Sequence, residues 1–227
     1  APMPAPIQDD MANKPEGVRR YRERHWAAVA TASAEEIAAT RRQYCAAITL
    51  IDDQIGEILA ALEKRGMTEN TYIVYTSDHG EMLGDHGLYA KSLAYEAALR
   101  VPLLIAGPGI EGGRVSNALV ELIDVHATIC ELAGLPPQEN VDARSFAAIL
   151  RGETETHRSE ALSTIRQFQL VRTARYKYVN NYNDSPELYD LQQDPEELHN
   201  LVGEEPVIAA ELANRLRRRY VEGKWLR

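Results

Sequence analysis

The sequence predicts an α/β protein, with an α/β domain over residues 1–155 followed by a small antiparallel-sheet plus helix subdomain over residues 156–227. A long amphipathic helix is followed by two short apolar runs with a polar loop between them, and this order of helix, strand, loop and strand is the α/β pattern. After Gly152, short apolar runs alternate with period two between turn residues, which is typical of an antiparallel meander.

The long helix is the clearest element in the sequence. Ser33 and Glu36 form the capping-box pattern at its start, and Gly66 suits the left-handed position just beyond its end. Between them apolar residues recur at spacings of three, four and seven, which predicts one apolar stripe along the helix. This stripe contains Ile37, Tyr44, Ile48, Ile51, Ile55, Ile58 and Leu62.

Shorter elements follow from local composition. A short helix is expected near residues 21–30, before the long one. The later predicted elements, in chain order, are a buried strand over 71–76, a buried strand over 101–107, a helix N-capped by Asp124 and closed by Gly134, a helix over 145–150, the short strands FQLVRT, RYKYVN and ELYDL, and a final helix over 206–220.

Composition excludes several classes of function. The formal net charge of −9 argues against a nucleic-acid partner, which requires a basic face. No run of 18 or more apolar residues exists, and the first ten residues lack the basic start and apolar stretch of a signal peptide. We therefore expect a soluble protein without a membrane partner, in the cytoplasm or periplasm.

Cys45 and Cys130 are too few for a disulfide framework and are expected to be small core residues.

Metal-type side chains follow the first predicted strand. Asp78 and His79 stand just past it, where open α/β sheets bind ligands. A carboxylate and an imidazole can converge on one cation if Gly80 lets the chain bend. The alternative is an Asx turn beside a surface histidine. Residues 78–80 read DHG, and the same tripeptide recurs at residues 85–87. There Asp85 and His86 are either a second metal-binding pair or ordinary residues of a turn.

Lys91 lies 13 residues after Asp78. A lysine near a divalent metal is unexpected unless an anion lies between them, and a tetrahedral oxyanion on the metal would still present oxygens to a second cation. The alternative is a solvated surface lysine.

The segment TSDHGEMLGDHGLYAKSLAYEAALRVPLLIAGPG resembles the sulfatase family of the alkaline phosphatase superfamily. Flanking segments are similar to family segments too, and the resemblance runs from about Pro4 to the end. These segments are CAAITLIDDQIGEIL, ELIDVHATICELAGLP, ARSFAAILRGE and ELYDLQQDPEELHNL. The resemblance implies the C-terminal part of an alkaline-phosphatase-like sheet-and-helix domain, followed by the family's small C-terminal α+β subdomain.

The resemblance also implies roles for residues of the loop. Asp78 and His79 correspond to the family's second pair of metal ligands, with calcium the first expectation and manganese or zinc as alternatives. Lys91 corresponds to the lysine that holds the sulfate group, and is both catalytic and substrate-binding. His86 is placed with the substrate-binding residues, although the family offers no firm counterpart for it.

One family feature is absent from the sequence. Family sulfatases use a formylglycine made in a Cys-x-Pro/Ala-x-Arg motif, and neither Cys45 nor Cys130 is followed by arginine at the required place. We therefore expect a sulfuric ester hydrolase portion that is inactive alone and needs a missing N-terminal half or a second chain, with a homo-oligomer as a further possibility. The alternatives are a phosphonate or phosphate ester hydrolase and a non-catalytic truncated binding module.

Overall fold

The computed structural model describes residues 4–222, which form two compact units. The first contains residues 4–12, 18–91 and 95–110, and the second contains residues 13–17, 92–94 and 111–222. The predicted domain boundary at 155 lies inside the second unit, so the compact units and the predicted domains divide the chain at different places. Among the described residues, no helix combines the length and apolar character required to span a bilayer.

The first unit holds the long helix and a two-stranded sheet. Its elements are α1 (Glu16–Ala30), α2 (Ala34–Lys64), β1 (Ile73–Thr76), α3 (Glu96–Leu99) and β2 (Leu103–Ala106), with 3₁₀ turns at Thr68–Asn70 and Asp85–Gly87. Strands β1 and β2 pair antiparallel, with Ile73 opposite Ala106 and Thr76 opposite Leu103. The first two residues of α1 belong to the second unit, and α1 carries a kink at Trp26.

Both predicted ends of α2 are confirmed. The hydroxyl of Ser33 accepts from the backbone N–H of Glu36, and the carboxylate of Glu36 accepts from the backbone N–H of Ser33. At the other end Gly66 has a φ of 62°. The N–H of Gly66 donates to the carbonyl of Glu63 and that of Met67 to Leu62, the bond pattern of a Schellman motif.

The apolar stripe of α2 is exposed over most of its length. Ile37 is buried, but Ile48, Ile51 and Ile58 are exposed, and Ile58 keeps 61% of its surface accessible. The strands are also less buried than predicted: Leu104 of β2 is 60% exposed. Periodicity identifies an apolar face, but burial requires a second surface, and in the described part of the chain β1 and β2 are hydrogen-bonded only to each other.

The exposed apolar face predicts self-association of the isolated chain, because contiguous exposed apolar surface favours contact with another molecule. We expect its apparent mass in light scattering to rise with concentration. The double variant Ile48→Asp/Ile51→Asp should reduce that rise without lowering the melting temperature. The double variant Gln43→Asp/Gln54→Asp, which adds the same charge at exposed polar positions of α2, is the control and should leave association unchanged. A chain that stays monomeric at all concentrations would contradict the prediction.

The second unit contains the predicted antiparallel meander. Its elements are α4 (Leu122–Leu132), α5 (Ala147–Leu150), β3 (Glu160–Thr164), β4 (Phe168–Thr173), β5 (Tyr176–Asn181), β6 (Glu187–Asp190), a 3₁₀ turn at Leu201–Gly203 and α6 (Pro206–Glu222). The strands pair in chain order, each antiparallel to the next. Leu212 and Leu216 of α6 pack with Val171 and Leu188 in one apolar core, as the predicted apolar face of this helix requires.

Two expectations about α4 and the cysteines need correction. The N-cap of α4 is Glu121, and Asp124 sits three residues further on, where the two side chains accept from each other's backbone N–H. Cys45 is exposed on α2 and Cys130 is only half-buried on α4, so the expectation that both are core residues is wrong. Cys45 lies on the part of α2 that no other described element covers.

Asp124 is the centre of a buried polar cluster in the second unit. Its carboxylate accepts from Nε of Arg158 at 2.7 Å and from Nη2 at 2.5 Å, and from the backbone N–H groups of Glu121 and Arg144. Burial by itself raises the pKa of this carboxyl, but the hydrogen bonds from Arg158 and the two backbone groups outweigh it, so the pKa lies below its ordinary value. The cluster therefore ties α4 to the chain entering β3.

Asp124→Asn is expected to destabilise the protein by about 3–5 kcal/mol near pH 7, because the buried guanidinium of Arg158 loses its nearest countercharge and keeps only Glu121, whose Oε2 lies 3.7 Å from Nη2. The depressed pKa of Asp124 means that its stabilising contribution is present above the unfolded-state pKa, roughly 3.9, and is lost as the pH falls. Urea unfolding of both proteins should therefore show a difference that shrinks toward acidic pH.

The control for this prediction is Glu155→Gln, which breaks an ion pair with Arg114 in which the glutamate is exposed. Its cost should stay within about 1 kcal/mol. Equal losses for the two variants at pH 7, or a difference that does not depend on pH, would contradict the assignment of Asp124 as the central group.

Candidate active site

The candidate site begins where β1 ends. Asp78 and His79 follow Ser77, whose hydroxyl donates to the carbonyl of His79 at 2.8 Å. The backbone N–H of His79 donates to the Asp78 carboxylate at 3.1 Å. This turn holds both side chains at the carboxyl end of the strand, where the sequence places them.

Gly80 is required for a different reason from the one expected. Its φ is not in the left-handed region, so the turn does not need the special freedom of glycine. Its N–H instead donates to the carbonyl of Ala98 at 2.8 Å, and a Cβ at this position would collide with the carbonyl oxygen of Ala97. A glycine is needed because the backbone of the turn lies directly against α3.

Asp78 and His79 present their side chains together. Oδ2 of Asp78 lies 3.4 Å from Nε2 of His79, and the two side chains are 83% and 36% exposed. Nδ1 of His79 lies 2.8 Å from the carbonyl oxygen of Gly80. Because a carbonyl oxygen can only accept, Nδ1 carries the proton and the lone pair of the neutral ring is on Nε2. This is the arrangement that metal-binding histidines use, so the pair fits a divalent cation.

Lys91, at the end of the loop that follows His79, contacts this pair with its side chain. Its Nζ donates to Nε2 of His79, across 12 residues of sequence. The structure therefore brings together all three residues that the sequence singles out most strongly: a carboxylate, an imidazole and an ammonium, at one exposed position. Such a set can bind a metal ion and an anion side by side once the ammonium leaves Nε2 of His79, because one lone pair cannot accept from Lys91 and bind a metal at the same time.

His86 is placed differently from His79. Its side chain is 2% exposed, its Nδ1 lies 2.7 Å from Oδ2 of the buried Asp9, and its ring stacks on Tyr95 with centroids 4.1 Å apart. Its backbone N–H donates to the carbonyl of Ile7. These contacts favour a structural role, and substrate binding by His86 remains an untested prediction.

Asp85 also serves the loop itself. Its Oδ1 accepts from Nη2 of Arg41 at 2.6 Å and from the backbone N–H of Ile7 at 2.9 Å. Arg41 in turn donates to the carbonyls of Leu83 and Pro4, each at 2.8 Å. Over the described residues, no cluster of three or more His, Cys, Asp and Glu side chains is placed to hold a metal ion. The contacts of Asp85 anchor the loop.

Sequence reasoning did not find Arg41 or Asp9. Arg41 is a nearly buried charge within an otherwise apolar helical pattern, and that mismatch is the signal that could have identified it. Asp9 lies in an irregular N-terminal segment whose pattern carries no comparable signal.

Two family models match this chain. The model described as Sulfatase matches residues 8–135, and the model described as N-sulphoglucosamine sulphohydrolase, C-terminal, matches residues 84–223. The chain belongs to the sulfatase family.

Individual relatives agree with this assignment. Arylsulfatase K of Bos taurus is 32% identical over 200 residues, which cover 81% of this chain and 37% of that protein. Choline-sulfatase of Rhizobium meliloti strain 1021 is 36% identical over 174 residues, covering 74% of this chain and 34% of that protein. The crystal structure of phosphonate monoester hydrolase of Agrobacterium radiobacter matches with a TM-score of 0.76 at 29% identity, covering 85% of this chain and 43% of that one.

This chain therefore spans less than half the length of these relatives. The predicted fold class is confirmed: these residues correspond to the C-terminal portion of an alkaline-phosphatase-like sulfatase fold, with its small antiparallel sheet and helix.

Gly80→Ala is expected to disrupt the site, because the new methyl group collides with a carbonyl oxygen of the backbone, which cannot rotate away as a side chain could. Thermal unfolding should show a lower melting temperature, and the His79 ring signals in NMR spectra should shift. Gly56→Ala is the control, since nothing lies within 4 Å of a Cβ there and alanine favours the helix. Unchanged stability and unchanged His79 signals in Gly80→Ala would show that the turn can move off α3.

Proposed function

We propose that Asp78, His79 and Lys91 form part of the active site of a sulfuric ester hydrolase, in which Lys91 binds the sulfate group and acts in catalysis. The observation that carries the proposal is the contact of the Lys91 ammonium with Nε2 of His79 at the carboxyl end of β1. Membership in the sulfatase family supports the reaction class. The proposed substrate is a sulfate ester.

Asp78 and His79 are the proposed ligands of a divalent cation, calcium first, with manganese or zinc as alternatives. Such an ion, when bound, would polarise the sulfate oxygens as a Lewis acid. The bond from Nδ1 of His79 to Gly80 keeps the lone pair on Nε2, and the exposed Asp78 carboxylate adds a hard oxygen. Calcium takes roughly 6–8 oxygen ligands, of which these two side chains supply only those of the Asp78 carboxylate, since His79 offers a nitrogen.

Lys91 is proposed to neutralise charge on the sulfate oxygens. Its three N–H donors and compact charge suit a tetrahedral oxyanion, and its exposed position beside His79 allows an oxygen to lie between the ammonium and the cation site. Stabilisation of charge that develops on these oxygens lowers the barrier to S–O cleavage.

The nucleophile is proposed to come from outside the 227 residues. No Cys-x-Pro/Ala-x-Arg sequence is present, so neither cysteine fits the precursor of formylglycine. A preceding N-terminal half or a second chain would have to supply it. Without that contribution these residues would form a non-catalytic module that binds metal and anion.

A second candidate is hydrolysis of phosphonate or phosphate esters on the same scaffold. It is favoured by histidine at the second ligand position, which also occurs in such hydrolases, and by the likeness to a phosphonate monoester hydrolase. Paired substrates that differ only in sulfate, phosphate or phosphonate would separate the two activities in an enzyme that carries the nucleophile.

Lys91→Ala is expected to lower kcat/KM for a sulfate ester by at least about tenfold in an enzyme that unites this chain with its nucleophile, because a charge-assisted hydrogen bond contributes roughly 1.5–3 kcal/mol. Steady-state kinetics with an aryl sulfate measure this loss. The control is Lys64→Ala, which removes an exposed lysine at the end of α2 and should change nothing. Unchanged kinetics in Lys91→Ala would refute the assignment.

The isolated 227-residue chain is expected not to turn over sulfate esters, since it offers two metal ligands and an anion-binding cation without a nucleophile. The test incubates the purified chain with an aryl sulfate and calcium, then with manganese, and measures released sulfate. Metal-dependent multiple turnover that Asp78→Ala abolishes would show that the nucleophile lies within these residues.

A further inference from the structure

The chain between His79 and Lys91 forms a closed loop with an unusual backbone. Leu83, His86 and Ala90 all have positive φ angles of 48°, 56° and 65°, although none is glycine. Side chains disfavour this left-handed region because Cβ approaches the backbone carbonyl. Ala90 is the last of these residues and stands immediately before Lys91, so its conformation sets the direction in which the Lys91 side chain leaves the loop.

Both backbone polar groups of Ala90 are hydrogen-bonded. Its N–H donates to Oε1 of Glu81 at 2.6 Å, and its carbonyl accepts from the N–H of Met82 at 3.1 Å. The same Oε1 also accepts from the N–H of Leu83 at 3.2 Å. Glu81 thus closes the neck of the loop, two residues after one proposed metal ligand and ten before the proposed anion-binding lysine.

The other anchors act elsewhere on the loop. The pair of Asp85 with Arg41 and the pair of His86 with Asp9 hold its far end. Neither fixes the residue that precedes Lys91. Glu81 is the side chain whose hydrogen bond reaches Ala90, and its Oε1 accepts from backbone N–H groups at both Leu83 and Ala90.

We propose that Glu81 is a positioning residue: by accepting the N–H of Ala90 it keeps that residue left-handed, and so holds the ammonium of Lys91 at Nε2 of His79. This rests on the proposed role of Lys91 as the cation that binds the oxyanion. In this proposal Glu81 acts through the position of its carboxylate oxygen, which has to reach the backbone N–H of Ala90. The competing explanation is that its negative charge acts on the site electrostatically.

Two conservative variants separate reach from charge. Glu81→Gln removes the charge but retains an oxygen at the same distance along the side chain, which can still accept from Ala90. Glu81→Asp retains the charge but shortens the side chain by one methylene, so the oxygen no longer reaches. Positioning predicts that Glu81→Gln resembles the wild type and Glu81→Asp does not, and an effect of charge predicts the reverse. Glu57→Asp, an exposed helical position, is the control for the substitution itself.

The first measurement uses the full chain by NMR and needs no ligand. In the wild type and in Glu81→Gln we expect a nuclear Overhauser effect between the ε-methylene of Lys91 and the His79 ring, together with a protected Ala90 amide. In Glu81→Asp the contact should be lost and exchange of the Ala90 amide should rise by about tenfold or more, as expected for a broken hydrogen bond. Retention of both signals in Glu81→Asp would overturn the proposal.

The second measurement titrates inorganic sulfate into the full 227-residue chain. The dissociation constant should rise by roughly fivefold to tenfold in Glu81→Asp and stay within about twofold in Glu81→Gln. Equal weakening in both variants, or weakening in Glu81→Gln alone, would show that charge dominates and would overturn the proposal. If the wild type and Lys91→Ala bind sulfate equally, the proposed function fails, while the NMR contact still decides the role of Glu81.

Discussion

The contact of Gly80 with α3 is the constraint on which the candidate site depends. A backbone N–H group of the turn reaches the carbonyl of Ala98 directly, in a space that has no room for a side chain. This contact fixes the direction in which the chain leaves β1. Asp78 and His79 therefore both present their side chains at the end of the strand, with Oδ2 of Asp78 3.4 Å from Nε2 of His79.

The two copies of the DHG tripeptide show how context separates identical residues. In the first copy the side chains of Asp78 and His79 project from the end of a strand and remain accessible. In the second copy His86 is enclosed by Asp9 and Tyr95, and Asp85 is bound by Arg41. Buried charges and imidazoles need partners, and these partners come from helix α2 and from the N-terminal segment. The second copy therefore stabilises the loop that presents the first.

The two units use charge for different purposes. In the second unit the buried pair of Asp124 and Arg158 links α4 to the chain entering β3, and each ion makes a further hydrogen bond to the backbone. In the first unit the loop uses carboxylates mainly to accept backbone N–H groups, as Glu81 and Asp85 do. Asp78 and Lys91 are exposed, and they are charged residues on which the proposed function rests.

The sequence by itself determined the features that depend on neighbours within a few residues. The capping box of Ser33 and Glu36, the left-handed Gly66 and the strand that precedes Asp78 follow from local hydrogen bonds and backbone preference. The segment around Lys91 also carried the family resemblance. Tertiary structure alone decided which apolar residues are covered: the stripe of α2 has the right period, yet Ile48 stays exposed, because burial depends on a facing surface and not on the period. It also decided the partners of the loop, since Ile7 and Asp85 meet across 78 residues of sequence, a distance over which no local preference acts.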